Sequence, residues 1–126
     1  MEDAMIDHVQ LKVKSFEKSR QFYARALEAI GYGVSSEDAA SKSAGFGAKG
    51  ATELWIGEGG PRAPVHIAFR AQDRSAVRKF HAAALAAGGS DNGAPGLRTD
   101  YSPTYYAAFV LDPDGNNVEL VCTESA

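Results

Sequence analysis

"IDHVQLKVKSFEKSRQFYARALEAIG", residues 6–31, is repeated in outline 58 positions later by "PVHIAFRAQDRSAVRKFHAAALAAGG", residues 64–89. The shift places His8 on His66 and Phe22 on Phe80. Further matches are Arg20 with Arg78, Leu27 with Leu85, and Gly31 with Gly89. In each copy a short strand pattern is followed by a helical pattern that ends at glycine. Such a repeat predicts a chain built from two similar modules.

The predicted elements follow the same order in both halves. Helix one is expected from Ser15, as N-cap, to Ile30, and helix two from Asp73 or Ser75 to the glycines at 88 and 89. Strands are predicted at 6–13, 45–49, 51–57, 65–71, 105–111 and 117–122, and "DPDGNN", residues 112–117, is typical of a hairpin turn. Residues 97–104 receive no assignment. Each half therefore reads βαββ, with a third strand after the helix left open.

Composition restricts the class of protein. The 126 residues suit one domain, and 44% hydrophobic and 23% charged residues are typical of a globular protein. Module one is expected at about 5–57, a linker at 58–63 and module two at about 64–122. No apolar run approaches the roughly 20 residues of a membrane helix, and the acidic N-terminus lacks the pattern of a secretory signal. A net charge of −3 without a basic cluster argues against nucleic acid. One cysteine, Cys122, favours the cytoplasm.

Alternation along the predicted strands sets four ionisable residues apart from the apolar face. Neighbouring side chains of a strand point to opposite sides of the sheet. In four strands the apolar residues share one side, and one of His8, Glu53, His66 or Glu119 lies on the other. The two histidines are repeat equivalents, and the two glutamates correspond at an offset of 66.

A shared metal ion is the chemistry that these four residues favour over simple exposure to solvent. If the sheet curls, both carboxylates enter one concavity, where they need a counter-charge. A divalent cation supplies it, and imidazole and carboxylate are common ligands. Two histidines and two glutamates could form a closed tetrahedral site, or a six-coordinate site with two exchangeable positions.

The opening "IDHVQLKVKSFEKSRQFY", the central "HIAF" and the closing "FVLDPDGNNVELV" resemble the vicinal oxygen chelate superfamily, which includes glyoxalase I, bleomycin-resistance proteins and extradiol dioxygenases. The resemblance spans nearly the whole chain. It implies an α+β fold in which two βαβββ modules form a cupped, mostly antiparallel sheet with helices on the outside. It further implies one divalent ion (Zn, Ni, Co, Mn or Fe) bound by His8, Glu53, His66 and Glu119.

The resemblance also implies a function. A fourth carboxylate, here Glu53, is similar to the glyoxalase I pattern, and Glu119 matches the glutamate that moves a substrate proton in that family. We therefore expect a metal-dependent isomerase or lyase, similar to lactoylglutathione lyase, for a small vicinal-oxygen substrate, with glutathione or another thiol as a candidate co-substrate. Candidate substrate-binding residues are Trp55, Arg98, Tyr101, Tyr105 and Phe109.

Two alternatives stay open at this point. One is a metal-free protein that sequesters a ligand, as bleomycin-resistance proteins do, and the other is an iron-dependent dioxygenase. The resemblance also implies a homodimer, in which His8 and Glu53 of one subunit meet His66 and Glu119 of the other. Closure of the site within one chain is equally compatible with the sequence.

Overall fold

The computed structural model describes residues 6–125; residues 1–5 and Ala126, which include the predicted start of module one and the acidic N-terminus, lie outside them. Module one contains β1 (Val9–Val13), α1 (Phe16–Ala26), a 3₁₀ turn (Leu27–Ile30), β2 (Gly33–Asp38), β3 (Ser43–Gly47) and β4 (Leu54–Glu58). Module two contains β5 (His66–Arg70), α2 (Arg74–Ala86), β6 (Ser90–Leu97), β7 (Tyr106–Leu111) and β8 (Asn117–Cys122). No helix within residues 6–125 has the length and apolar character needed to cross a membrane.

Both predicted helices are present, and their ends follow from local chemistry. The Ser15 hydroxyl accepts from the backbone of Lys18, which confirms the predicted N-cap of α1. The regular helix ends at Ala26, earlier than predicted, and the 3₁₀ turn continues it to Gly31, whose φ of 80° is easily reached only by glycine. Asp73 caps α2 by accepting from the backbone of Ala76.

Two strands were absent from the sequence prediction. β2 has the polar sequence "GVSSED", and β6 has the sequence "SDNGAPGL", which contains glycine and proline. Both are edge strands with register shifts, and such strands carry few of the apolar residues that mark a buried strand. The predicted strand at 51–57 also begins later, so that Glu53 precedes β4.

The strands form two four-stranded sheets with identical topology, β1-β4-β3-β2 and β5-β8-β7-β6. In each sheet the first and last strands of the module are parallel, and the other neighbours are antiparallel. The predicted α+β class, built from two repeated modules with mostly antiparallel pairing, is confirmed. The two sheets share no strand ladder among the described residues.

The helices bring one face of each sheet into a common core. α1 lies against β3 and β4, α2 lies against β6, β7 and β8, and the two helices contact each other. Their buried side chains, including Phe22, Tyr23 and Phe80, belong to a single hydrophobic cluster with residues of both sheets. Each sheet therefore keeps a second face, without a helix, on the side away from this core.

The turn predicted at 112–117 also fastens the modules together. The hydroxyl of Tyr23 in α1 donates to Asp112 at 2.5 Å, and both residues are buried. Asp114 accepts from the backbone of Lys14 at 2.9 Å and from the side chain of Arg62 at 3.1 Å. A turn of module two is thus bonded to module one and to the segment that connects them.

Candidate metal and substrate site

His66 and Glu119 meet on the helix-free face of the second sheet. His66 begins β5 and Glu119 lies in β8, where it pairs with Ala68. Because alternate residues share a face, His66 and Glu119 become diagonal neighbours. The Nε2 atom of His66 is 3.0 Å from Oε1 of Glu119.

The surroundings of the pair fix the direction of both side chains. Nδ1 of His66 is 2.9 Å from the backbone carbonyl of Asn117, so this nitrogen donates and Nε2 faces Glu119. The Glu119 side chain is only 3% exposed, whereas that of His66 is 50% exposed. A buried carboxylate is costly without compensation. The imidazole of His66 lies within hydrogen-bond distance of this carboxylate.

Tyr105 binds the other oxygen of Glu119. Its hydroxyl donates to Oε2 at 2.5 Å. Burial and the bond to Glu119 raise the pKa of Tyr105 to about 12, so the hydroxyl keeps its proton at neutral pH. Glu119 is thus held on both sides by residues of its own chain.

Three further predicted substrate residues surround the pair. Phe109, which pairs with Glu119 across β7 and β8, stacks on the His66 ring with centroids 6.3 Å apart. The guanidinium of Arg98 lies 5.3 Å from the centre of the Phe109 ring and donates to two backbone carbonyls of β6. The Tyr101 ring packs edge-on against Tyr105 at 4.9 Å and is largely exposed. The second module therefore carries a cation, aromatic rings and an acid–base pair on one face.

Glycines make room for Arg98 on that face. A Cβ atom at Gly93 would lie 3.1 Å from the Arg98 guanidinium and 2.9 Å from the Phe109 ring, and one at Gly96 would lie 3.2 Å from the guanidinium. A side chain at either position would crowd the cation. These glycines could not be identified from the sequence, because their importance comes from a side chain that reaches them only in the folded chain.

Of the other three predicted site residues, only Trp55 lies in a strand of the first sheet. The predicted strand at 6–13 begins only at Val9, so His8 directly precedes β1, as Glu53 precedes β4. The backbone of Val9 donates to the carbonyl of Glu53 at 2.9 Å, which places Glu53 beside His8. His8 itself contacts Asp7 and is half exposed. Trp55 lies over Gly45 of β3, where a Cβ would be 3.1 Å from the indole ring. Among residues 6–125 no group of three or more His, Cys, Asp or Glu side chains is placed to hold a metal.

The register of the first sheet changes the correspondence between the glutamates. Gln10 pairs with Trp55 in β4, and its repeat equivalent Ala68 pairs with Glu119 in β8. Trp55 is therefore the structural counterpart of Glu119, and Glu53 lies two residues earlier on the same face. In the sequence the two glutamates correspond at an offset of 66, whereas residues at equivalent positions of β4 and β8 are 64 apart.

His66 and Glu119 are of residue types that bind metal ions, and their side chains meet at one point. The 3.0 Å between Nε2 and Oε1 is the distance of an ordinary hydrogen bond. The carbonyl of Asn117 holds the imidazole in the tautomer that offers Nε2, as backbone carbonyls do for metal-bound histidines. One chain thus supplies half of the predicted ligand set at one point.

A two-module α+β fold with this strand order is that of glyoxalase-like proteins. The chain belongs to the Glyoxalase/Bleomycin resistance protein/Dioxygenase superfamily, whose sequence profile matches residues 5–120. No curated protein sequence matches the chain.

Solved structures share this fold. The chain is similar to a glyoxalase/bleomycin resistance protein from Albidiferax ferrireducens T118, with 28% identity, a TM-score of 0.81, and coverage of 94% of this chain and 99% of that one. It is also similar to a glyoxalase I mutant from Zea mays, with 26% identity and a TM-score of 0.66, over 92% of this chain and 46% of the maize chain. A putative glyoxalase from Bacillus halodurans has the same fold, with 24% identity, a TM-score of 0.70, and coverage of 94% and 95%.

Proposed function

We propose that the protein is a metal-dependent isomerase or lyase similar to glyoxalase I, acting on a small substrate with vicinal oxygens such as a hemithioacetal. The observation that carries this proposal is the His66–Glu119 pair, an imidazole and a buried carboxylate brought together on one face and oriented by Asn117 and Tyr105. Membership of the superfamily and the likeness to a glyoxalase I support the same reading.

The full ligand set, in this proposal, is completed across a homodimer. His8 and Glu53, the first half-site, directly precede β1 and β4, and His66 and Glu119, the second half-site, meet on the helix-free face of the second sheet. Because the helix-covered faces are already packed together in one core, a second copy is the natural source of the missing half. Leu97 and Tyr101, which are 48% and 67% exposed near the second half-site, offer apolar surface for that contact.

A divalent ion bound by His8, Glu53, His66 and Glu119 would polarise the two substrate oxygens and stabilise negative charge on them. The carboxylate of Glu119 takes the proton from the substrate carbon and returns it to the neighbouring carbon. Tyr105 keeps the carboxylate in place. The ring of Phe109 stacks on the His66 imidazole and offers an aromatic surface beside the carboxylate.

The substrate in this proposal carries a negative charge, as the carboxylates of a glutathione adduct would provide. Arg98 is fixed by carbonyls rather than by a carboxylate, and no carboxylate among residues 6–125 forms an ion pair with it, so its charge is left for a ligand. Trp55 of the partner's first sheet would supply a further aromatic surface. A cytoplasmic location belongs to the proposal, because the one cysteine, Cys122, is a buried free thiol.

A metal-free ligand-binding protein is the second candidate, and one observation favours it. Both oxygens of Glu119 already have partners in the chain, namely His66 and Tyr105. The charge of the buried carboxylate is therefore compensated without a metal, and the aromatic face could hold a ligand without chemistry.

Elemental analysis of the purified, untagged protein separates the two candidates. We expect a near-stoichiometric divalent metal in the wild type and its loss in His66→Ala and Glu119→Gln. His81→Ala is the matched control, because this third histidine pairs with Asp91 on α2 and β6 and should leave the metal in place. The metal found then defines the ion for assays of hemithioacetal isomerisation. A wild type that is metal-free and refuses added divalent ions would leave the ligand-binding protein.

A further inference from the structure

Tyr105 lies outside the strands, but both its backbone and its ring have specific contacts. It directly precedes β7, its backbone carbonyl accepts from Arg98 at 2.7 Å, and its backbone N–H donates to Ser102 at 3.3 Å. The ring is supported edge-on by Tyr101. These contacts leave the hydroxyl directed at Oε2 of Glu119, 2.5 Å away.

We propose that Tyr105 is a positioning residue, whose hydroxyl holds Glu119 so that only Oε1 is presented toward His66. This inference rests on the proposed function, because it concerns how Glu119 meets the metal. It assigns Tyr105 a different role from the sequence prediction, in which Tyr105 lined the substrate pocket. The tyrosine acts through the carboxylate and not through contact with substrate.

Two neighbouring contacts make this role specific. The carbonyl of Asn117 orients His66 from behind, and the hydroxyl of Tyr105 orients Glu119 from the opposite side, so both candidate ligands are fixed before an ion binds. Partners of this kind set the direction and strength of metal ligands. Because one oxygen is already bonded, the carboxylate can offer only the other oxygen to an ion. The same oxygen can also detach from the ion and carry a proton.

The first test uses Co²⁺ as the probe. Titration of the metal-free protein with Co²⁺, followed by absorbance, should show weaker binding to Tyr105→Phe by about 10- to 100-fold, as is typical when such a partner is removed. Tyr106→Phe removes the hydroxyl of the next residue, which bonds to Arg78 of α2 and not to Glu119, and should bind Co²⁺ like the wild type. Equal Co²⁺ affinity of Tyr105→Phe and the wild type would overturn the proposal.

A second test needs neither metal nor activity. In the metal-free protein, Tyr105→Phe should lower Tm in the wild-type background and have little effect when Glu119 is already replaced by Ala, because the hydroxyl has then lost its partner. The same loss of Tm in both backgrounds would refute the contact. If the wild type binds no Co²⁺, the proposed metal function fails, and this comparison still decides whether Tyr105 holds Glu119.

Discussion

If the metal site is shared between subunits, two defective variants should complement each other. His8→Ala removes a ligand from the first half-site of a chain, and His66→Ala removes one from the second. Each variant alone carries a defect in every site of its homodimer. A heterodimer places both defects in one site, and the other site receives His8 and His66 from intact modules.

The expected recovery follows from counting sites. A two-fold symmetric dimer has two equivalent sites, so the heterodimer keeps one intact site of two. Metal content and isomerase activity should therefore return to about half of the wild-type value. A chain that closed the site within itself would recover nothing, because every chain of the heterodimer carries a broken site.

The assay is co-expression of the two variants with different affinity tags, followed by purification on both tags. Elemental analysis and turnover of a hemithioacetal are then measured on the same sample. The matched control is a heterodimer of His8→Ala with Glu53→Gln, in which both defects fall in first half-sites. Each of its sites then carries one defect, so it should stay at the level of the single variants.

A verified heterodimer of His8→Ala and His66→Ala that binds no metal, under conditions in which the wild type does, would refute the shared site. Recovery in the Glu53 control that equals the recovery in the test pair would refute Glu53 as a ligand. The first result tests whether the site is shared between subunits, and the second tests whether Glu53 is a ligand.

Three single contacts give further predictions. Tyr23→Phe removes the bond to buried Asp112, worth about 1.5–3 kcal/mol, and should lower Tm by about 6–11 °C in thermal unfolding; an unchanged Tm would contradict it. Burial raises the pKa of Tyr23 well above 10.0, so only the unfolded tyrosine ionises near that pH. The free energy of unfolding should therefore fall as the pH rises above 10, and it should fall less steeply in Tyr23→Phe. Arg98→Gln should raise the KM of an anionic substrate by about tenfold and leave that of its neutral ester unchanged; equal effects would exclude an anion anchor. Gly45→Val crowds Trp55, the single tryptophan, and should lower Tm and shift its fluorescence; an unshifted spectrum would show that the ring does not lie over Gly45.

Local patterns were sufficient for much of the fold. Ser15 and Asp73 are N-caps of the helices that the apolar spacing predicts, because a cap depends on atoms within one turn. The repeat of residues 6–31 in residues 64–89 corresponds to two sheets of identical strand order. β2 and β6 were missed because an edge strand is held by a neighbour distant in sequence and need not be apolar.

The sequence also selected residues that meet on the second sheet. Alternation placed His66 and Glu119 on one face, and the structure brings them together with Tyr105, Phe109 and Arg98. The role of Tyr105 could not be predicted, because its bond to Glu119 depends on the packing of the loop before β7. The bond from His66 to the carbonyl of Asn117 could not be predicted either, because a backbone carbonyl leaves no pattern in the sequence.

By itself the sequence determined two repeated modules, the shared face of His66 and Glu119, and the superfamily resemblance, since all of these depend on residues close together or on their type. The tertiary structure decided the register of β4, which makes Trp55 rather than Glu53 the counterpart of Glu119. It also decided that the helix-covered faces share one core, while His8 and His66 lie at the starts of strands in separate sheets. Both outcomes follow from long-range packing, in which buried area and strand pairing are optimised over the whole chain and not within any one segment.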